Sequence, residues 1–188
     1  MTTRFVLLGA LIAVPLQAQQ AQPANRLVLG ANFGGSSAGT DLAATTGWKS
    51  GWSAGANLTY KLTPRFGLRA DADLAQNDLS GGVGIPGEKR FNKLSYVADA
   101  VWQREELPGT KVMPYLLAGV GAVHVHDKGS DSSFTRFAGN VGAGVGYKLG
   151  ERVGLRAEGR SLIYKFDRFG YSKTQNDLLW QAGLTFKM

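Results

Sequence analysis

The chain has 188 residues, with 21 Lys and Arg against 14 Asp and Glu, no cysteine and a mean hydropathy of −0.12. The lack of cysteine excludes a disulfide framework and a thiolate metal site. Twenty-six glycines alongside 10% aromatics suit neither a helical bundle nor a disordered chain, and the length allows one domain of ordinary size.

The first stretch, MTTRFVLLGALIAVPLQAQQAQPA, has the layout of a secretory signal peptide: Arg4 as the positive region, an apolar run from Phe5 to Leu16, then small residues. Cleavage is expected after Ala18, giving a signal over 1–18, or a few residues later. The run is short for a membrane anchor, and a polar Gln/Ala stretch follows it. The exported chain then carries 20 basic against 14 acidic residues, a net charge of +6. No later run is long enough for a transmembrane helix. A transmembrane barrel would not show one, because it places its apolar surface on every second residue.

That alternation recurs from Arg26 onward, after a first strand over about 26–34. Trp52, Ala54, Ala56, Leu58, Tyr60 and Leu62 share one face, and Phe66, Leu68, Ala70, Ala72 and Leu74 oppose Arg69, Asp71 and Asp73. Leu94, Tyr96, Ala98, Ala100 and Trp102 oppose Lys93 and Asp99. YLLAGVGAVHV (115–125) follows, then Phe137, Val141, Val145 and Tyr147 against Arg136, Asn140 and Lys148. Val153, Leu155, Ala157 and Ile163 oppose Arg156, Glu158 and Arg160. The chain closes on QAGLTFKM, with Ala182, Leu184, Phe186 and Met188 on one face. This amounts to about eight strands.

The connections alternate in length. Those at 62–65, 106–111 and 149–152 are tight, whereas 35–50, 76–92, 127–134 and 167–176 are long and polar. Putting every short turn at one end is the habit of an up-and-down membrane barrel. GANLTYKLTPRFGLRAD (55–71) also aligns without a gap on GAGVGYKLGERVGLRAE (142–158), at an offset of 87 residues. Each copy is strand, turn, strand, so the offset equals four strands, half a revolution of an eight-stranded barrel. The two hairpins are expected to face each other across the lumen.

The YKL-turn-GLRAE pattern, the eight amphipathic strands, the signal peptide and the terminal QAGLTFKM together resemble the small OmpA/OmpX-type outer-membrane β-barrels, over residues 25–188. The resemblance implies an all-β fold, a transmembrane antiparallel up-and-down barrel of eight strands in the cell outer membrane. It implies that Gln181, Gly183, Phe186 and Met188 form the signal read by the barrel-assembly machinery, although most members end on Phe or Tyr. A cell-wall-binding domain like that of full-length OmpA is not expected after this barrel. The last strand is expected to pair with the first, removing the edges that hydrocarbon cannot solvate.

Outward aromatics are expected in two belts. Tyr60, Phe66, Trp102, Tyr115, Tyr147 and Phe186 fall near the short turns, and Phe33, Trp52, Tyr96, Phe137 and Trp180 near the long links. Inward, Arg69, Asp71, Asp73, Lys93, Asp99, Arg156, Glu158 and Arg160 form a charge network. Side chains fill so narrow a barrel, and unpaired charge there is costly, so cross-lumen pairs Arg69–Glu158 and Arg156–Asp71 are expected. A gated pathway or acid/base carboxylates would be the functional reading; no nucleophile marks the second.

His124 and His126 share a face, opposite Val123 and Val125, which are expected to point outward. Two histidines with Asp127 are a weak metal signal, and polar residues near the outer rim is the reading preferred. GVGAV and GNVGAGVG imitate a dinucleotide fingerprint without its strand-turn-helix setting; Gly142, Gly144 and Gly146 instead suggest close packing in the lumen. No cofactor or catalytic residue is assigned. Lys89, Arg90, Arg136, Lys165, Arg168 and Lys173, with Lys93, gather near the long links. Lipopolysaccharide phosphates are their natural partner, against the alternative of a solvated surface balanced by Asp78, Asp127, Asp131 and Asp167. Nucleic acid is not expected to meet an exported protein. The role expected is structural or interactive, as a monomer with a plugged lumen and no enzymatic activity. The rivals are a small channel or carrier for ions or solutes, and a lipid-modifying barrel enzyme, which would need an outward Ser/His/acid set.

Overall fold

The computed structural model describes residues 26–38, 46–81, 90–127, 132–168 and 171–188. The expected signal peptide, Lys89, Asp131 and the middles of the long connections lie outside these residues. The described chain forms strands β1 (Leu27–Ala38), β2 (Thr46–Trp48), β3 (Gly51–Lys61), β4 (Phe66–Gly81), β5 (Arg90–Gln103), β6 (Val112–Asp127), β7 (Ser132–Lys148), β8 (Val153–Arg168) and β9 (Tyr171–Lys187). Every pairing is antiparallel, and consecutive barrel strands are neighbours. β9 pairs β1 from Val28↔Lys187 to Ala38↔Asp177, so eight strands close on themselves. β2 stands apart and only extends the end of β4.

The short turns sit where Pro, Thr and Gly allow. In the first, Leu62 and Thr63 N–H both reach the Phe66 carbonyl, and the Thr63 hydroxyl accepts from Arg65 and Phe66 N–H. In the second, Gly109 takes a φ of 72°, a left-handed conformation that glycine adopts without Cβ strain. In the third, Leu149 and Gly150 N–H bond the Val153 carbonyl.

At the opposite end the strands outrun the expected boundaries: β4 continues to Gly81, β6 to Asp127, and β8 and β9 take in most of 167–176. The reason is physical. Beyond the apolar girth a strand need not keep an apolar face, so YSKTQND carries no alternation although it pairs residue by residue with β8.

The outward faces carry Phe33, Trp52, Tyr96, Phe137 and Trp180 towards that end, and Tyr60, Phe66, Trp102, Tyr147 and Phe186 towards the short turns, all exposed. Tyr115 is a correction: it is buried and points into the lumen. The same correction reverses the end of the strand, where Val123 and Val125 are buried inside and His124 and His126 lie on the outer side. The cause is a single phase shift in β6. LLAGVGAV is apolar on both faces, so its own hydrophobicity does not fix which face turns in; pairing does. Tyr115 sits opposite Gly144, where a Cβ would collide with the end of its ring, and Leu116 sits opposite Ala143 on the outside.

The interior itself has two layers. Towards the long connections lies an apolar cluster built on Phe91, Val123, Val125, Phe134, Leu162 and Leu179. Phe91, Val123 and Val125 are each only 1% exposed. This cluster is not wholly apolar, because the buried Lys93–Asp177 pair sits among Val123, Leu162 and Leu179. Below it, towards the short turns, lies the larger polar layer.

Candidate functional site: the charged lumen

β4 and β8 present their charges at matching heights from opposite walls, because the sequence repeat places the two hairpins four strands apart. Its offset relates Arg69 to Arg156, Asp71 to Glu158 and Asp73 to Arg160. Arg69 donates from Nη1 to Glu158 Oε2 at 2.6 Å and from Nη2 to Oε1 at 2.9 Å, a two-pronged clasp across the lumen. Its Nε donates to Asp71 Oδ2 at 2.6 Å on its own strand. Arg160 contacts Asp73, its repeat counterpart, and lies 3.2 Å from Asp71 Oδ1. These Arg160 contacts are charge contacts rather than well-angled hydrogen bonds.

The expected Arg156–Asp71 pair does not form. Asp71 is already held by Arg69 and Arg160, and Arg156 instead donates to the side-chain carbonyls of Asn57, at 2.9 Å, and Asn32. The repeat is asymmetric at this point. Asn57 has Gly144 as its counterpart, and the space that Gly144 leaves admits Tyr115, whose hydroxyl donates to Glu158 Oε2 at 2.7 Å. One copy therefore supplies an amide to an arginine, and the other leaves room for a phenol from β6 to reach a carboxylate.

Asp99 is buried and is held by a neutral partner: Asn140 Nδ2 lies 2.9 Å from both its oxygens. Lys93 is buried too, apart from the arginine lattice. It donates to Asp177 at 2.6 Å, and Tyr164 donates to the same oxygen at 3.0 Å. Lys93 is thus a lumen residue and no part of the surface cation group. Sequence reasoning did not place Asn32, Tyr115, Tyr164 or Asp177 in this interior, and it left Asn57 and Asn140 out of the charge network. For Asn57 and Asn140 the signal was present, since both share the inward faces of their strands.

Gln181 also turns inward, donating to Asp73 at 2.9 Å and to Ser53 at 3.2 Å. Gly183 packs so tightly against β1 that a Cβ would collide with the Ala31 carbonyl, and Phe186 and Met188 are exposed on the outside. Of the surface cations, Lys165 is exposed and Arg136 is half-buried with its guanidinium 5.5 Å from the centre of the Phe134 ring. Arg90, Arg168 and Lys173 occupy the long-connection ends of β5, β8 and β9. Gly142 and Gly144 pack closely inside, against Arg160 and Tyr115. His124 Nδ1 lies 2.9 Å from Thr135 Oγ1 on the outer side, and Ser133 faces His126 across the same strand pair. Among the described residues no three His, Cys, Asp or Glu converge as a metal site.

The arrangement is one of mutual neutralisation. Each oxygen of Glu158 meets a donor, and the guanidiniums are committed on several sides. Such a lattice ties β4 to β8 across the lumen.

Comparison with known proteins agrees with this geometry. The family described as "Outer membrane protein beta-barrel domain" matches residues 6–187. Among solved structures, Neisserial surface protein A is similar at 22% identity and a TM-score of 0.65, covering 89% of this chain and 100% of that one. OprG of Pseudomonas aeruginosa is similar at 16% identity and a TM-score of 0.57, over 88% of this chain and 96% of that one. Ail, the attachment invasion locus protein of Yersinia pestis, gives 16% identity and 0.51, over 87% and 99%. At these identities the likeness is one of fold. No curated protein matches the sequence significantly. The closed eight-stranded barrel, its aromatic belts and the family match agree: the chain is an outer-membrane protein and belongs to the outer membrane protein beta-barrel domain family.

Proposed function

We propose that this barrel is a structural and surface-interaction protein, a monomer whose lumen is closed by its own side chains and whose working surface is the end formed by the long connections. The observation that carries this reading is the layering of the interior. An apolar cluster sealed by Phe91, Val123, Val125 and Leu179 lies over an ion-pair lattice. A channel or carrier would need a continuous open path, and the packed Phe91, Val123, Val125 and Leu179, with the Lys93–Asp177 pair closed on itself among them, oppose one. A lipid-modifying enzyme has one observation in its favour, the outward His124–Thr135 pair, but no described carboxylate orients that imidazole.

Lipopolysaccharide is the proposed lipid partner of the outer end, through Lys165 and Arg136 with Lys89, Arg90, Arg168 and Lys173 from the adjoining segments. The barrel-assembly machinery is the proposed transient partner of Gln181, Gly183, Phe186 and Met188. Residues 1–18 are proposed as the export signal.

The test separates the ends from the interior. A protein with 82–89 and 128–131 replaced by Gly/Ser stretches of equal length should still fold. It should fail to restore the adherence and envelope-integrity phenotypes of a deletion strain. An interior variant such as Asn140→Ser should restore them. Restoration by the segment-exchanged protein and failure of the interior variant would overturn the reading.

A further inference from the structure

The lumen has an open mouth at its short-turn end, and this mouth is basic. Its cavity, about 670 Å³ including the opening, is lined by Lys61, Lys148, Lys187 and Arg156, with the hydroxyl-bearing Thr59 and Thr185 between them. Lys61 and Lys148 are counterparts in the sequence repeat, so they approach from opposite walls. Lys187 enters from β9, paired to Val28 of the strand that also neighbours Thr59. Arg69 also reaches this cavity, but Glu158 and Asp71 neutralise it.

Among the described residues no carboxylate side chain lines the cavity. Among the same residues Arg156 is bound by the amide oxygens of Asn57 and Asn32, which are neutral, and no carboxylate pairs with it. Glu158 lies behind the lining, already taken up by Arg69 and Tyr115, and Lys148 has Glu106 at 3.4 Å in an exposed pair of little strength. Three ammoniums and a guanidinium held round one cavity from four strands, without a built-in anion, make a receptor for a multiply charged oxyanion.

We propose that this short-turn mouth is a binding site for a phosphate group presented from the periplasmic side. A tetrahedral phosphate spreads charge over several oxygens and meets donors arriving from several walls. A carboxylate offers two oxygens in one plane. The phosphate comes from a soluble periplasmic solute or from an anionic lipid headgroup, and the two share the recognition chemistry. The site lies at the end of the barrel opposite the surface to which the functional proposal assigns the work, and it does not depend on that proposal.

The probe is inorganic pyrophosphate, titrated calorimetrically at constant ionic strength into the full barrel in phosphatidylcholine nanodiscs. Saturable one-to-one binding is expected, weakened about tenfold or more by Lys61→Gln with Lys187→Gln, and unchanged by Lys165→Gln at the far end. Both mouth lysines are half-exposed at strand ends, so the double variant should fold, and a heat-shift gel verifies this. If that variant does not fold, Lys148→Gln alone replaces it, with weakening expected. Repeating the titration with phosphatidylglycerol discs assigns the source: competition marks a headgroup, and unchanged affinity marks a solute. Absence of saturable binding, equal binding by the mouth variant, or tighter binding of succinate than of pyrophosphate would overturn the proposal.

Discussion

Arg69 and Glu158 stand 89 residues apart in sequence, on opposite walls of the barrel, and meet through two hydrogen bonds of 2.6 and 2.9 Å. Neither side chain is appreciably exposed. Removing one partner leaves the other charged and buried, so Glu158→Gln should cost about 3–5 kcal/mol of stability. Arg69→Gln should be comparable. The double variant should cost less than the sum, with a coupling of about 1–3 kcal/mol. Urea unfolding in lipid, followed by tryptophan fluorescence, measures all four corners of the cycle. Simple additivity would remove the clasp from the account.

The apolar layer makes a second, independent prediction. Phe91 is sealed in the interior and Phe137 is 73% exposed on the outer face. Phe91→Ala should therefore cost about 3–5 kcal/mol through the cavity it leaves. Phe137→Ala should cost far less in the same urea assay.

Gly183 and Phe186 both belong to the terminal segment, but Gly183 is packed against β1 whereas Phe186 is exposed on the outer face. Gly183→Val forces a side chain into the Ala31 carbonyl and obstructs the β1–β9 closure. The folded band on a heat-shift gel should fall sharply even in refolding without cellular machinery, at the upper end of about 1–3 kcal/mol of strain. Phe186→Ala leaves that closure intact, so its refolding in detergent should stay near wild type while its assembly in cells declines.

Val120 lies outward at the middle of β6 and is exposed to the bilayer. Val120→Arg should cost about 2–4 kcal/mol in lipid. The same change at His126, near the outer end of the strand, should cost much less. Equal costs would contradict the proposed depth of the strands.

The barrel was legible in the sequence because most strands are apolar on one face only, and alternation then fixes phase as well as existence. β6 shows where this fails. Its interior neighbours include the apolar layer, so both faces are apolar, and the strand was read one residue out of phase from Tyr115 through Val125. The positions of Gly119, Gly121 and Gly144, where partner strands crowd in, hold the missing information. The charge network was legible as a set of inward residues, and the repeat supplied the Arg69–Glu158 height match. Which arginine takes which acid was not legible. It turns on local competition: Asp71 is claimed within its own strand, and Asn57 stands where the other copy has Gly144. Lys93 shows the same limit, because its partner Asp177 lies in a stretch that carries no alternation.

The central claim, that side chains close the lumen, is tested most directly by single-channel recording of the refolded, signal-free protein in a planar bilayer, with folding verified by heat shift. A folded protein with no steady current under an applied potential is expected. Discrete, reproducible openings would contradict it, and would make Arg69, Asp71, Arg156 and Glu158 residues of a conducting path.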